Sequence, residues 1–409
     1  MKKTLSIALA LIMALGLLAG CASIPAAAPA ATATPEPTAT PEPQPVVTEL
    51  RFSATGDNLI HSSIYKQANR RAGGNGYDFG YCYQNMLDFY QQFDINWVNQ
   101  ETLISDTLEP SDYPAFSTPG EMGRTLYDIG FRVFSMSNNH TYDRGAAGIA
   151  ATRAYWAAMP DDVVTCGLYT NAEHHPADQP HSYDTEIAEY PEIAYQEVNG
   201  VRIAYLAYTE HTNGIPTPSS AEATVIYTSQ TDVMERQIRL ARQQADLVVV
   251  SDHWGVEDSH LVTDAQRALA QQQVDWGADV ILGTHPHVVQ DAQWLTSADG
   301  RQAFVAYSLG NFISAQAQPD EMIGLILNLQ IEKVDYPDGT SQTAIHSPVL
   351  HPVINHYDSG YSNIRVYLLK DYPDELANSH GVRARHPEFG PEYIRKVLTQ
   401  YVNEEFLDL

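Results

Sequence analysis

The chain has 409 residues, with 50 acidic against 23 basic side chains and a formal net charge of −27 at pH 7. That balance excludes nucleic-acid binding through a basic surface. An anionic ligand would need a local positive centre, and a bound metal would supply one.

The N-terminus sets the compartment. Lys2 and Lys3 precede an apolar run from Leu5 to Leu18, and LLAGC follows. A charged start, an apolar stretch and small residues before a cysteine predict a lipoprotein signal peptide over residues 1–20, with Cys21 carrying the lipid. The run is near the lower limit for a bilayer span, and Ala19 and Gly20 suit cleavage better than a retained helix. Residues 21–47 are rich in Pro, Ala and Thr and lack apolar periodicity, so they are expected to form a disordered stalk. At about 3.1 Å per residue it would reach some tens of Å from the membrane. The expected location is the extracellular face of the cytoplasmic membrane. Residues 48–409 are enough for one large domain or two intimate ones. Cys82 and Cys166 have the choice of pairing or staying free.

Along that domain, strand-length apolar runs repeatedly end in groups able to bind metal. LRFSATGD ends at Asp57, with His61 four residues on. DINWVNQE ends at Asn99 and Glu101. FRVFSMSNNH ends at Asn138, Asn139 and His140, followed by Asp143. DLVVVSDHWGVE ends at His253, Trp254 and Glu257, and DVILGTHPH at His285 and His287. FVAYSLGNF ends at Ser308 and Asn311. Between the fourth and fifth runs, TDAQRALAQQQVDWG predicts a helix, with Thr263 and Gln266 as a capping box and Gly277 as its stop. Strand, helix and strand in about thirty residues make a βαβ unit with parallel strands. Ligands of open α/β sheets bind at the carboxyl ends of such strands, so His253, His285 and His287 are expected to converge.

Singly, each residue has a plainer explanation. An Asp or Asn after a strand is usually a turn residue or helix cap. A histidine there is usually only hydrogen-bonded. Repetition at strand end after strand end shifts the balance toward a mixed N/O set suited to Mn, Fe or Zn. His174, His175, His181, His211, His351 and His356 lack that context and are set aside. After Phe312, GLILNLQIEKV and DYPDGTSQTAIH predict a hairpin turning at Asp338 and Gly339. RKVLTQYVNEEF predicts a closing helix. The motif-bearing core is thus 50–312, with 313–409 as an accessory region.

GDNLIH, NQE, SNNHTYDRG, YTEHTNG, DHWGVE, GTHPHVVQ and SLGNF, in this order, resemble the CapA family of capsule (poly-γ-glutamate) synthesis proteins. The resemblance implies an α/β fold, a two-sheet sandwich like that of calcineurin-like metallophosphoesterases, with a dinuclear metal site on strand-end loops. Carried over by residue, it implies Asp57 and His287 on a first metal, Asn139, His253 and His285 on a second, and Glu101 bridging both. His140 would be a non-ligand acid that protonates the leaving group. Two positions depart from the metallophosphoesterase pattern: Leu59 stands where a histidine ligand is expected, and Glu101 where the bridging residue is Asp. His61 is the nearest substitute for the missing histidine, and Asn99, Glu257 and Asn311 are further possible ligands.

The implied function is synthesis or export of an anionic surface polymer by a lipid-anchored protein, with a membrane-bound polymer synthase as a possible partner. Two alternatives stay open: a secreted phosphoesterase for small molecules or nucleotides, and a polymer-binding scaffold that cuts nothing.

Overall fold

The computed structural model describes residues 44–170 and 193–409. The signal peptide, Cys21 and the stalk up to residue 43 lie outside the described residues, as do His174, His175 and His181.

Two sheets form the framework. The first runs Ser362–Leu368, Ser341–Asp358, Ile323–Asp335, Val46–Asn58, Ile95–Asn99, Val133–Ser135, Val164–Cys166, with Asn311–Ile313 added beside the end of Val46–Asn58. From Val46–Asn58 to Val164–Cys166 every neighbour is parallel. The second sheet runs Ala292–Thr296, Gln302–Ala306, Val280–Thr284, Leu247–His253, Val201–Thr209, Ala194–Val198. Its four inner strands are parallel and its two edges antiparallel. The fold is a two-sheet α/β sandwich.

Side-chain alternation explains why the second sheet needs cover on both faces. Val201, Ile203, Tyr205, Leu247, Val249 and Leu282 join the core shared with the first sheet. Their neighbours Ala204, Leu206, Val248, Val250 and Ile281 pack instead with Met234, Ile238, Ala270 and Val274. Those last four belong to helices Thr231–Gln244 and Asp264–Trp276, which cover the outer face. Both faces are buried, so the strands read as continuous apolar runs rather than alternating ones. Across the sandwich, Ser135 and Ser251 bring their hydroxyls to 3.5 Å.

The βαβ expectation is met in detail. Leu247–His253 pairs in parallel with Val280–Thr284, and Thr263 and Gln266 form the reciprocal capping box of the helix between them. Gly277 ends that helix at φ 133°, a conformation open to glycine. The hairpin also forms, from Ile323–Asp335 and Ser341–Asp358.

Three boundaries differ from expectation. Val46 and Val47 already pair with Asp335 and Val334, so the sheet starts inside the predicted stalk. The closing helix runs Pro391–Tyr401. Pro391 starts it early because its missing N–H costs nothing in a first helical turn. It stops at extended Val402, and the tail then bonds alongside Leu350. The accessory region 313–409 holds three whole strands of the first sheet, and its boundary at 312 cuts a fourth. Cys82 and Cys166 are buried free thiols, each pushed up to about 12 by desolvation. No helix among the described residues is long and apolar enough to cross a membrane.

Candidate metal centre

Two glycines let the strand ends close on one another. A side-chain carbon on Gly56 would stand 1.9 Å from the Gly310 carbonyl oxygen, and one on Gly283 would stand 1.8 Å from that of Tyr307. Only hydrogen fits at either place. Through this approach the Asp57 amide donates to the Gly310 carbonyl at 2.9 Å. His285 and His287 flank Pro286 with φ of 95° and 60°. Such left-handed backbone costs on the order of 1–3 kcal/mol per residue and recurs where a structure aims side chains at a ligand.

The strand ends of both sheets meet at Asp57. Its Oδ1 accepts from the Asn99 side-chain amide at 2.7 Å. Its Oδ2 lies 3.2 Å from His287 Nδ1 and accepts the His285 backbone N–H at 3.3 Å. Asp57, Glu101 and His287 present ligand atoms that all lie within 4.8 Å of one another, and all three are buried. A second group adjoins it. His253 Nε2 lies 3.1 Å from Asn139 Oδ1, and the His253 and His285 rings stand 4.7 Å apart. Two donors about 2.0–2.2 Å from one ion must themselves be about 3 Å apart, so the Asn139–His253 spacing fits shared coordination.

Glu101 lies between the groups. Its Oε1 is 3.8 Å from His253 Nε2 and 3.7 Å from His287 Nε2. Both carboxylate oxygens are buried without a hydrogen-bond partner, as is His285 Nδ1. Desolvation holds the Glu101 carboxyl well above its ordinary range. Burial also opposes charge on His287, but the Glu101 carboxylate and the Asp57 contact outweigh it and raise that imidazole to about 10. Desolvation and neighbouring histidines push His253 far down and His285 to about 2, so both are neutral and keep a lone pair. His253 and His285 are thus already in the donor form a divalent cation takes, while Glu101 and His287 would release their shared proton to admit one. The residues present fit such an ion.

The other predicted residues fall around this core. His140 Nδ1 bonds Asp143 Oδ2 at 2.8 Å, and the same oxygen accepts the Phe116 backbone N–H at 2.7 Å. Asn99 and Asn311 contact candidate ligands: Asn99 bonds Asp57, and Asn311 Oδ1 lies 3.1 Å from His287 Nδ1. His61 accepts the Ala315 N–H at Nδ1 and meets Phe116 edge to face, on a ring that also packs on His140. It is outside the Asp57–Glu101–His287 group. Glu257 is exposed, close enough for its charge to act on Glu101 and His287. Trp254 is buried and donates its indole N–H to Tyr307, a core role.

Three contributors escaped the sequence. His211, set aside for its context, packs its ring at 4.9 Å against His285. The histidine in YTEHTNG follows the strand Val201–Thr209, and that run was the missed signal. Thr284 places its hydroxyl 3.0 Å from His253 Nδ1. Phe116 comes from a loop with no motif, and nothing in sequence marked it.

The family described as "Bacterial capsule synthesis protein PGA_cap" matches residues 51–316, a stretch that holds every one of these side chains. The chain belongs to that family. It is 32% identical over 221 residues to the PGA biosynthesis protein CapA of Bacillus subtilis (strain 168), covering 54% of this chain and 52% of that one. It is 33% identical over 279 residues to the capsule biosynthesis protein CapA of Bacillus anthracis, covering 66% and 60%. The chain thus spans between half and two thirds of the length of these relatives. Among solved structures, the NAD nucleotidase NadN of Haemophilus influenzae aligns over 89% of this chain and 64% of its own, at 14% identity and a TM-score of 0.42.

Proposed function

We propose that this PGA_cap protein serves synthesis or export of an anionic capsule polymer such as poly-γ-glutamate, through a pair of divalent ions at its strand ends. Glu101 carries the reading: both its oxygens are buried and partnerless, and Oε1 is nearly equidistant from His253 and His287. Asp57, Glu101 and His287 would hold one ion. Asn139, His253 and His285, with Glu101 again, would hold the other. Mn, Fe or Zn suits such a mixed donor set. When bound, the pair would supply an acidified water and positive charge for an anionic substrate.

The chain's own side chains do the rest. Asn99 fixes one oxygen of Asp57, Thr284 faces Nδ1 of His253, and Asn311 faces Nδ1 of His287. The His253 and His287 rings then turn Nε2 toward Glu101. Asp143 holds His140 through Nδ1, which leaves Nε2 to pass a proton to a leaving oxygen or nitrogen. An oriented imidazole of this kind favours cutting over holding, because gripping carboxylates needs no proton donor. Cys21 and the stalk would keep the domain at the outer membrane face, within reach of a membrane-bound polymer synthase. The names of the two CapA relatives support the polymer assignment.

The test is metal analysis of purified protein, followed by turnover of γ-glutamyl chains and of a generic phosphoester. Two ions per chain and cleavage of γ-glutamyl bonds are expected. Phosphoester turnover alone would move the reading to a secreted phosphoesterase. Two ions with neither activity would move it to a polymer-holding scaffold.

A further inference from the structure

Behind the partnerless Glu101 lies a polar network that is fully satisfied, and it centres on Gln100. The Gln100 side-chain oxygen accepts from the Asn58 amide at 2.7 Å. Its amide nitrogen donates to the Thr102 carbonyl at 2.7 Å and reaches the Thr102 hydroxyl at 3.2 Å. Its backbone N–H donates to the Ser135 carbonyl at 2.9 Å, and its carbonyl accepts from the Asn138 side chain at 3.2 Å. Asn58 in turn accepts from the Tyr83 hydroxyl, and the Thr118 hydroxyl meets that of Thr102 at 2.7 Å. Gln100, Asn58, Asn138, Thr102 and Tyr83 are all buried.

The pattern has a specific consequence for the proposed metal centre. Gln100 and Thr102 flank Glu101, Asn58 follows Asp57, and Asn138 precedes Asn139. Three strands of the first sheet thus each bring a candidate ligand, and each ligand has a chain neighbour bonded to Gln100 or is next to Gln100 itself. Asn138 also accepts the His140 backbone N–H at 2.9 Å, which ties the proposed proton donor to the same knot. No other orientation of the Gln100 amide satisfies both Asn58 and Thr102, because its oxygen and nitrogen would then face a donor and an acceptor wrongly. Buried networks with every member satisfied are stiff.

We propose that Gln100 is a positioning residue: the Tyr83–Asn58–Gln100–Thr102 chain fixes the separation of Asp57, Glu101 and Asn139, and so sets affinity for the metal pair. The inference rests on the two-ion reading above. Gln100 and Asn58 act only through their neighbours, and Tyr83 sits one hydrogen bond beyond Asn58.

The test is calorimetric titration of Mn²⁺ or Zn²⁺ into the metal-free protein, alongside thermal melts of the same samples. Gln100→Leu keeps roughly the volume but removes the side-chain bonds to Asn58 and to the Thr102 carbonyl and hydroxyl, and Tyr83→Phe removes one hydroxyl at the rim. Gln100→Leu is expected to weaken metal binding about 10- to 100-fold, the range for outer-shell partners of metal ligands. Tyr83→Phe is expected to weaken it less. If Gln100→Leu fails to fold, Tyr83→Phe decides. Folded variants that bind as tightly as wild type overturn the positioning role and leave the metal reading intact. Wild type that binds no metal overturns both.

Discussion

His253 Nε2 and Asn139 Oδ1 lie 3.1 Å apart, although 114 residues separate them in the chain. One comes from each sheet, so their contact is a direct product of the sandwich. If they share an ion, His253→Ala should remove that ion and spare the one at Asp57 and His287. His287→Ala should do the converse. Mass-spectrometric metal content per chain is expected to fall by one ion in each variant. Loss of both ions in either would mean a cooperative centre rather than two separable ones.

His140 is placed by Asp143 and packed by Phe116, not by any proposed ligand. His140→Ala should therefore leave metal content unchanged while turnover drops by roughly 10²–10⁴-fold, the usual contribution of a general acid. Asp143→Asn should give a smaller loss, since the ring stays but its orientation is weakened. A His140→Ala protein stripped of metal would make this residue a ligand and end the division of roles.

Anchoring is tested apart from chemistry. Cys21→Ser should release the domain from the membrane fraction into the medium, with thermal unfolding unaltered, because the described sheets begin at Val46. Continued membrane association would point to a retained apolar segment in place of a lipid.

Much of this architecture was legible because strands buried on both faces announce themselves as unbroken apolar runs. Leu247–His253 and Val280–Thr284 are such runs, and the capping box at Thr263 marked the helix between them. Their shared edge then followed from parallel connection. The rest depended on contacts that no local pattern encodes. His211 reaches the site only because its strand is the parallel neighbour of the one ending at His253. Asn99 and Asn311 looked like ligands by position; in space Asn99 donates to Asp57, and Asn311 faces His287 with its oxygen while its amide donates to Gln316 and Glu321. The C-terminal hairpin carries no motif, so the sequence could not show that its first strand lies against Val46–Asn58.

The C-terminal region also carries a buried histidine, His380, that is expected to make stability depend on pH. His380 is 1% exposed and packs among His356, Tyr357 and Phe389. Its Nδ1 accepts the Val382 N–H at 3.0 Å, so its proton is on Nε2, 3.0 Å from the Asn355 carbonyl. Adding a second proton would set Nδ1–H against Val382 N–H. Desolvation is the main reason its pKa falls from 6.5 to about 3, with His356 and Arg365 adding to the fall and Asp358 and the Asn355 bond opposing it. The folded value lies below the unfolded one, so stability is full above pH 6.5 and is lost as pH falls from there toward 3. The unfolded chain takes up the proton first. One such group contributes about 1.4 kcal/mol per pH unit across that window. Unfolding free energies from urea titrations between pH 7.5 and 4.5 should therefore fall less steeply in His380→Gln than in wild type, by up to that amount per pH unit. Parallel slopes in the two proteins would show that His380 is not the group that titrates.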